Sequence, residues 1–180
     1  MRAALLLLPL ALAACAPKGE SMGRMGGAPS LLLTVPLTGA DGAPRGTVTL
    51  AQEADGTRIT ARIIGVPPGD YAMHLHSIGL CEGPAFTSAG GHFNPAAKQH
   101  GHLNPMGEHA GDLPNVTVDP SGLGLLNDFR EGLRLKDGAA PLLDADGAAV
   151  VLHAKADDYR TDPAGNAGPR IACGVVVAKP

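Results

Sequence analysis

Where this chain of 180 residues places its seven histidines constrains it more than any other feature. His74 and His76 lie two apart in YAMHLHSIG, and His92 follows in GGHFNP. His100, His102 and His109 crowd KQHGHLNPMGEHAGDLP, and His153 stands alone in VVLHAKADD. Residues i and i+2 of a strand point to one face, so His74 and His76 present imidazoles side by side, with Met73 and Leu75 opposite. Imidazole suits copper and zinc, and the Asp112 carboxylate, three residues past His109, suits zinc. Six histidines and this aspartate furnish two adjacent metal sites if one imidazole is shared. A lone H-x-H is usually a pair of solvated strand residues. The whole constellation carries the reading.

Short β-type runs with turn residues between them surround these positions. They cover 31–38, 46–53, 57–66 and 70–76, then more weakly 115–118, 122–129 and 148–153, and last the apolar run 171–177. Asp55-Gly56 is a hairpin signal, and Pro67-Pro68-Gly69 closes the third run. Eight short strands with Gly/Pro turns predict an all-β, eight-stranded antiparallel sandwich or barrel. With no tryptophan, its core is filled by Leu, Ile, Val and Ala. The stretches 77–114 and 155–169 read as long loops. Loops of that length without secondary structure are functional or disordered, and ligands plus Cys81 in the first argue for functional.

The N-terminus reads as a separate piece. Arg2 precedes an apolar run too short for a permanent bilayer span, and Leu12-Ala13-Ala14-Cys15 resembles a bacterial lipobox. On that reading 1–14 is a signal peptide, Cys15 carries lipid, and Ala16 favours the outer membrane. An ordinary signal peptide cut near Ala14, with Cys15 an incidental thiol, is the alternative. Residues 15–30 are rich in Gly, Ser and Pro and read as a flexible tether. Met22 and Met25 there are thioethers of a linker. Residues 31–180 then form one domain. Without residues 1–14 the chain has 13 basic against 17 acidic residues, formally −4. It shows no basic patch and few aromatic residues, which argues against nucleic acid. Besides Cys15 two cysteines remain, enough for one bridge in an oxidising compartment.

The segments HLHSIGLC, AGGHFNP, KQH to HAGDLPN, VVLHAKADDY and GPRIACGVV resemble, in order, the copper,zinc superoxide dismutases in their bacterial periplasmic form. The resemblance spans roughly 31–177 and implies a Greek-key β-sandwich or barrel with one copper and one zinc per chain. It implies that His74, His76 and His153 are copper ligands, and that His92 is shared by both metals. It likewise implies His100, His109 and Asp112 as the remaining zinc ligands, Cys81–Cys173 as the disulfide, Arg170 as the active-site arginine, and Asp157 as the carboxylate linking the two sites. No ligand position is missing. His102 is left over, a surface histidine close enough to compete for zinc, and Asp158 is a solvated loop acid.

Superoxide as substrate follows from the same resemblance. Copper cycles by one electron and zinc does not, and His92 returns a proton to the developing peroxide. Arg170, with Lys98 or Lys155, supplies local positive charge for an anionic substrate. An envelope copper buffer on the same fold is the alternative, but a donor site is usually softer, with Met or Cys ligands. Monomer and homodimer both remain open.

Overall fold

The computed structural model describes residues 29–177. The expected signal segment 1–14, Cys15, Met22, Met25 and most of the tether lie outside the described residues. Among the described residues nine strands form: β1 Leu31–Gly39, β2 Pro44–Gln52, β3 Gly56–Ile63, β4 Gly69–Tyr71, β5 Met73–His76, β6 Val116–Val118, β7 Gly124–Glu131, β8 Ala148–His153 and β9 Arg170–Val176. They make one sheet in the order β4-β6-β7-β3-β2-β1-β9-β8-β5. All strand pairings are antiparallel. The two edge strands, β4 and β5, are consecutive in the chain and separated only by Ala72, so the sheet rolls into a nearly closed barrel.

The architecture is the expected one, with one more strand than the eight anticipated. The run 70–76 splits at Ala72 because its halves serve opposite edges. Residues 69–71 pair with β6, and 73–76 pair with β8. Ala72 itself exchanges backbone bonds with the end of β8 and the segment after it: its N–H donates to the Lys155 carbonyl at 2.8 Å, and its carbonyl accepts from His153 N–H at 2.9 Å. The chain therefore turns a barrel corner where its hydrophobicity is continuous.

Alternation sets the core. Leu33, Val35 and Leu37 of β1, Val48 and Leu50 of β2, and Ile59, Ala61 and Ile63 of β3 point inward, while Thr34, Pro36 and Arg62 on the same strands face solvent. β5 and β8 break that pattern and are buried on both faces. Met73, Leu75, Val150 and Leu152 face the barrel interior. On the outer face, Ala149, Val151 and Cys173 pack beneath Phe86, Ala89 and Cys81 of the long loop. The loop is held there by the Cys81–Cys173 disulfide, with Cα atoms 5.6 Å apart.

Candidate metal centre

The outward residues of β5 are His74 and His76, and the open edge of β5 recruits the loop that faces them. Leu75 N–H donates to the Gly111 carbonyl at 2.9 Å, and Phe93 N–H donates to the Leu75 carbonyl at 2.8 Å. These bonds set His92 opposite His76 and Asp112 opposite His74. The approach requires glycine at 111, where a Cβ would collide with the Leu75 carbonyl. His153, at the end of β8, completes the group on the neighbouring strand.

Each of His74, His76, His92 and His153 offers a ring nitrogen, and these nitrogens lie within 4.8 Å of one another. The opposite nitrogen of each ring is already engaged. His76 Nδ1–H donates to the Gly90 carbonyl at 3.0 Å and His153 Nδ1–H to the Gly168 carbonyl at 3.2 Å. A carbonyl only accepts, so the tautomer is fixed and the lone pair lies at Nε2. His74 donates from Nε2 to Asp157 at 2.8 Å. The remaining nitrogens, His74 Nδ1 and the Nε2 atoms of His76, His92 and His153, are buried without a hydrogen-bond partner. Four orphaned buried acceptors turned toward one another cost free energy unless a cation satisfies them. Burial holds these rings in the neutral, metal-binding form, His76 down at about 2, His153 at about 3 and His92 at about 4.

A second convergence adjoins the first. Asp112 Oδ1 lies 2.8 Å from His92 Nδ1, 3.1 Å from His109 Nδ1 and 3.1 Å from His100 Nδ1. His92 and His109 Nδ1 are 3.4 Å apart. Tetrahedral zinc at about 2.0–2.1 Å from its ligands requires ligand atoms about 3.3 Å apart, a spacing that these four separations approach, although the four residues whose ligand atoms all lie within 4.8 Å of one another include His74 in place of His109. The other oxygen of Asp112 accepts from the N–H groups of Gly101 and His109 at 2.9 and 3.0 Å, which fixes the carboxylate. His74 also falls within 4.8 Å of His92, His100 and Asp112, because it stands where the two groups meet.

Asp157 ties the groups together. Its Oδ2 accepts from His74 Nε2 and its Oδ1 from His100 Nε2, at 2.8 and 2.9 Å. Burial raises the Asp157 carboxyl, but hydrogen bonds from His100 and His74 prevail and hold it well below the usual range. Arg170 begins β9 opposite His153 and donates to the Phe86 and Gly90 carbonyls, both at 2.6 Å. The Gly90 carbonyl thus holds both His76 and Arg170. Lys155 is exposed, and its stem passes beside Gly168, the residue that anchors His153. Lys98 is exposed, and its carbonyl accepts from His109 Nε2–H at 3.1 Å. His102 is exposed and rests on Tyr159. Asp158 is exposed and closes a local turn through Thr161.

Several supporting residues escape the sequence. Asn115 clamps Asp157 by accepting from its backbone N–H at 2.8 Å and donating to its carbonyl at 3.0 Å. Tyr159 N–H donates to Asp157 Oδ1 at 2.6 Å. Gly165 leaves room for Asp157 and His100, which a Cβ there would strike. Asn115 and Tyr159 stand in segments that carry the resemblance, but their contacts give no sign in the residue types, and those of Asn115 with Asp157 bridge 42 positions.

Comparison with known proteins agrees with this arrangement. The sequence model of the copper/zinc superoxide dismutases matches residues 44–176. Copper-zinc superoxide dismutase 1 of Aquifex aeolicus is 47% identical over 136 residues, covering 73% of this chain and 79% of that protein. A copper-zinc superoxide dismutase of Deinococcus radiodurans is 37% identical over 186 residues, covering 97% and 94%. Among solved structures, a double mutant of a superoxide dismutase-like protein from Bacillus subtilis superposes with a TM-score of 0.76 at 40% identity, covering 81% of this chain and 97% of that one. With most of its length matched, including the stretches 77–114 and 155–169, the chain belongs to the copper/zinc superoxide dismutase family.

Proposed function

We propose that this protein converts two superoxide ions and two protons into dioxygen and hydrogen peroxide. Copper would be held by His74, His76, His92 and His153, and zinc by His92, His100, His109 and Asp112. The observation that carries this reading is the set of four buried, partnerless ring nitrogens, one on each copper-side histidine. Bound copper supplies one-electron chemistry, and bound zinc supplies charge and closes the loop.

The protein's own groups do the rest. His92 presents Nδ1 to Asp112 and leaves Nε2 toward His74, His76 and His153, so one imidazole serves both groups. Whenever Nε2 is not engaged by copper, it is the atom at which a proton would be held for the developing peroxide. Phe86 and Gly90 occupy one N–H on each terminal nitrogen of Arg170, and the guanidinium keeps donors for an anion. Its positive charge bears on His76 and His153, the side where substrate is to react. In a chain of net charge −3, attraction of superoxide is local. Lys155, whose stem lies beside Gly168, is the lysine we assign to assist Arg170, and Lys98, whose carbonyl meets His109, the one we assign to the zinc side.

The reading extends to the cell envelope, with Cys15 lipidated and residues 16–30 a tether. The lipobox-like Leu12-Ala13-Ala14-Cys15 supports it, as does the Cys81–Cys173 bridge, which suits an oxidising compartment. Intact mass of the mature protein tests the lipid. Metal content measured beside cyanide-sensitive superoxide consumption tests the activity. One copper and one zinc per chain with rapid consumption is expected. Tight copper binding without consumption would make the protein a copper buffer instead.

A further inference from the structure

We propose that Tyr159 determines which histidine of the His100-Gly101-His102 triplet serves the zinc group, by holding His102 outside it. The inference rests on the zinc assignment above. His100 and His102 are chemically identical ligands two residues apart, yet only His100 reaches Asp112 and Asp157. His102 turns outward, with its ring centroid 4.3 Å from that of Tyr159 at a 44° tilt.

The intervening backbone is fastened to Tyr159 as well. Leu103 N–H donates to the Tyr159 carbonyl at 3.0 Å. Gly101 lies so close to that carbonyl that a Cβ would collide with it, and its φ of +93° is one that glycine adopts without strain. The next residue adds two bonds: Asn104 Nδ2–H donates to the Arg160 carbonyl at 3.4 Å, and Arg160 donates back to the Leu103 carbonyl at 3.3 Å. Tyr159 is itself anchored, because its hydroxyl accepts from Asn115 N–H at 2.7 Å and its N–H donates to Asp157.

An aromatic pair biases an equilibrium roughly two- to twelvefold, enough to choose between two imidazoles of equal intrinsic affinity. Without the ring, the backbone fastenings remain, but His102 loses the contact that turns its imidazole outward and can compete for zinc. Each exchange would withdraw His100 from Asp157 and so loosen the carboxylate that also holds His74. Tyr159 is thus a positioning residue for the zinc group, acting on a side chain that never binds metal in the native arrangement.

The test is the visible spectrum and zinc affinity of full-length protein with cobalt(II) as the zinc-site probe, in four variants. His102→Ala should give the wild-type spectrum. Tyr159→Phe keeps the ring and should also keep the spectrum. Tyr159→Leu should give a mixed spectrum and a zinc affinity at least about tenfold weaker, the range seen when outer partners of a ligand are lost. Tyr159→Leu/His102→Ala should recover the single-site spectrum, because the competitor is gone. A Tyr159→Leu spectrum identical to wild type would overturn the proposal, and so would a Tyr159→Leu defect that His102→Ala leaves uncorrected. Failure of the wild type and of His102→Ala to bind one cobalt per chain would instead refute the zinc assignment.

Discussion

Along β1, buried and exposed residues alternate, whereas all six residues of β8 are buried. The two strands belong to the same sheet and differ in what covers them. The outer face of β1 meets water, so threonine and proline suffice there. The outer faces of β5 and β8 lie beneath the loop 77–114, so every outward side chain must be apolar or have a partner. Four histidines are placed on that covered side with one nitrogen satisfied and one left over. The open side of the barrel shows what the fold needs, and the covered side shows what the fold is used for.

The largest expected effect falls on the fastening of the cover. Replacing Cys81 and Cys173 together by alanine opens a loop of 92 residues, worth roughly 4–5 kcal/mol by the chain-entropy estimate. A urea titration of the metal-free variant should show a loss of that order. The same variant should lose activity when loaded, since the Phe86 and Gly90 carbonyls that hold Arg170 lie on the released segment.

Reversing charge on the covered side should act on rate and leave the fold alone. Arg170→Glu is expected to lower the second-order rate constant about ten- to a hundredfold, or about 1.4–2.7 kcal/mol, with copper content unchanged. Arg170→Lys should lose less, because it retains the charge without the guanidinium fork. Added salt should slow the wild type and have little or the opposite effect on the Glu variant. Equal rates for the two variants would remove Arg170 from the chemistry.

Acid should undo the covered side first. In the metal-free protein, burial holds His76, His92 and His153 at about 2, about 4 and about 3, against about 6.5 when unfolded. The unfolded chain takes up those protons first, so their contribution is complete above pH 6.5 and is lost as pH falls from 6.5 through about 4, 3 and 2. The slope approaches about 1.4 kcal/mol per pH unit for each group. His100 has the opposite sign. Burial opposes its charge, but hydrogen bonds to Asp112 and Asp157 prevail and raise it to about 9, so its contribution is present below about 6.5 and fades as pH rises through 9. Urea midpoints measured from pH 4 to 9 should therefore climb steeply up to 6.5. A flat profile below 6.5 would show that these rings are not buried neutral.

The smallest effect belongs on the open side. Thr34→Val on β1 faces solvent and touches neither the core nor the loop, and its stability should stay within about 0.5 kcal/mol of wild type, with both metals retained.

The sequence made much of this legible for identifiable reasons. β1 to β3 announce themselves by alternation, and Asp55-Gly56 marks their hairpin. His74 and His76 could be placed on one face because strand geometry fixes the direction of i and i+2. The split at Ala72 could not be seen, since hydrophobicity runs on across a corner that only the pairing of β4 with β6 and of β5 with β8 defines. Asn115 and Tyr159 were equally silent. They act largely through backbone groups of residues distant in sequence, which leaves no pattern of residue types. The ligand set came from resemblance as well as residue chemistry, and the structure adds which nitrogen of each ring is free.

The proposed arrangement has one covered face holding two metal groups that share His92. Copper and zinc contents of His153→Ala and Asp112→Ala, measured side by side on protein loaded with both metals, test it most directly. His153→Ala is expected to keep about one zinc while losing copper and activity, and Asp112→Ala to lose zinc preferentially. Loss of the same metal to the same extent in both variants would contradict it.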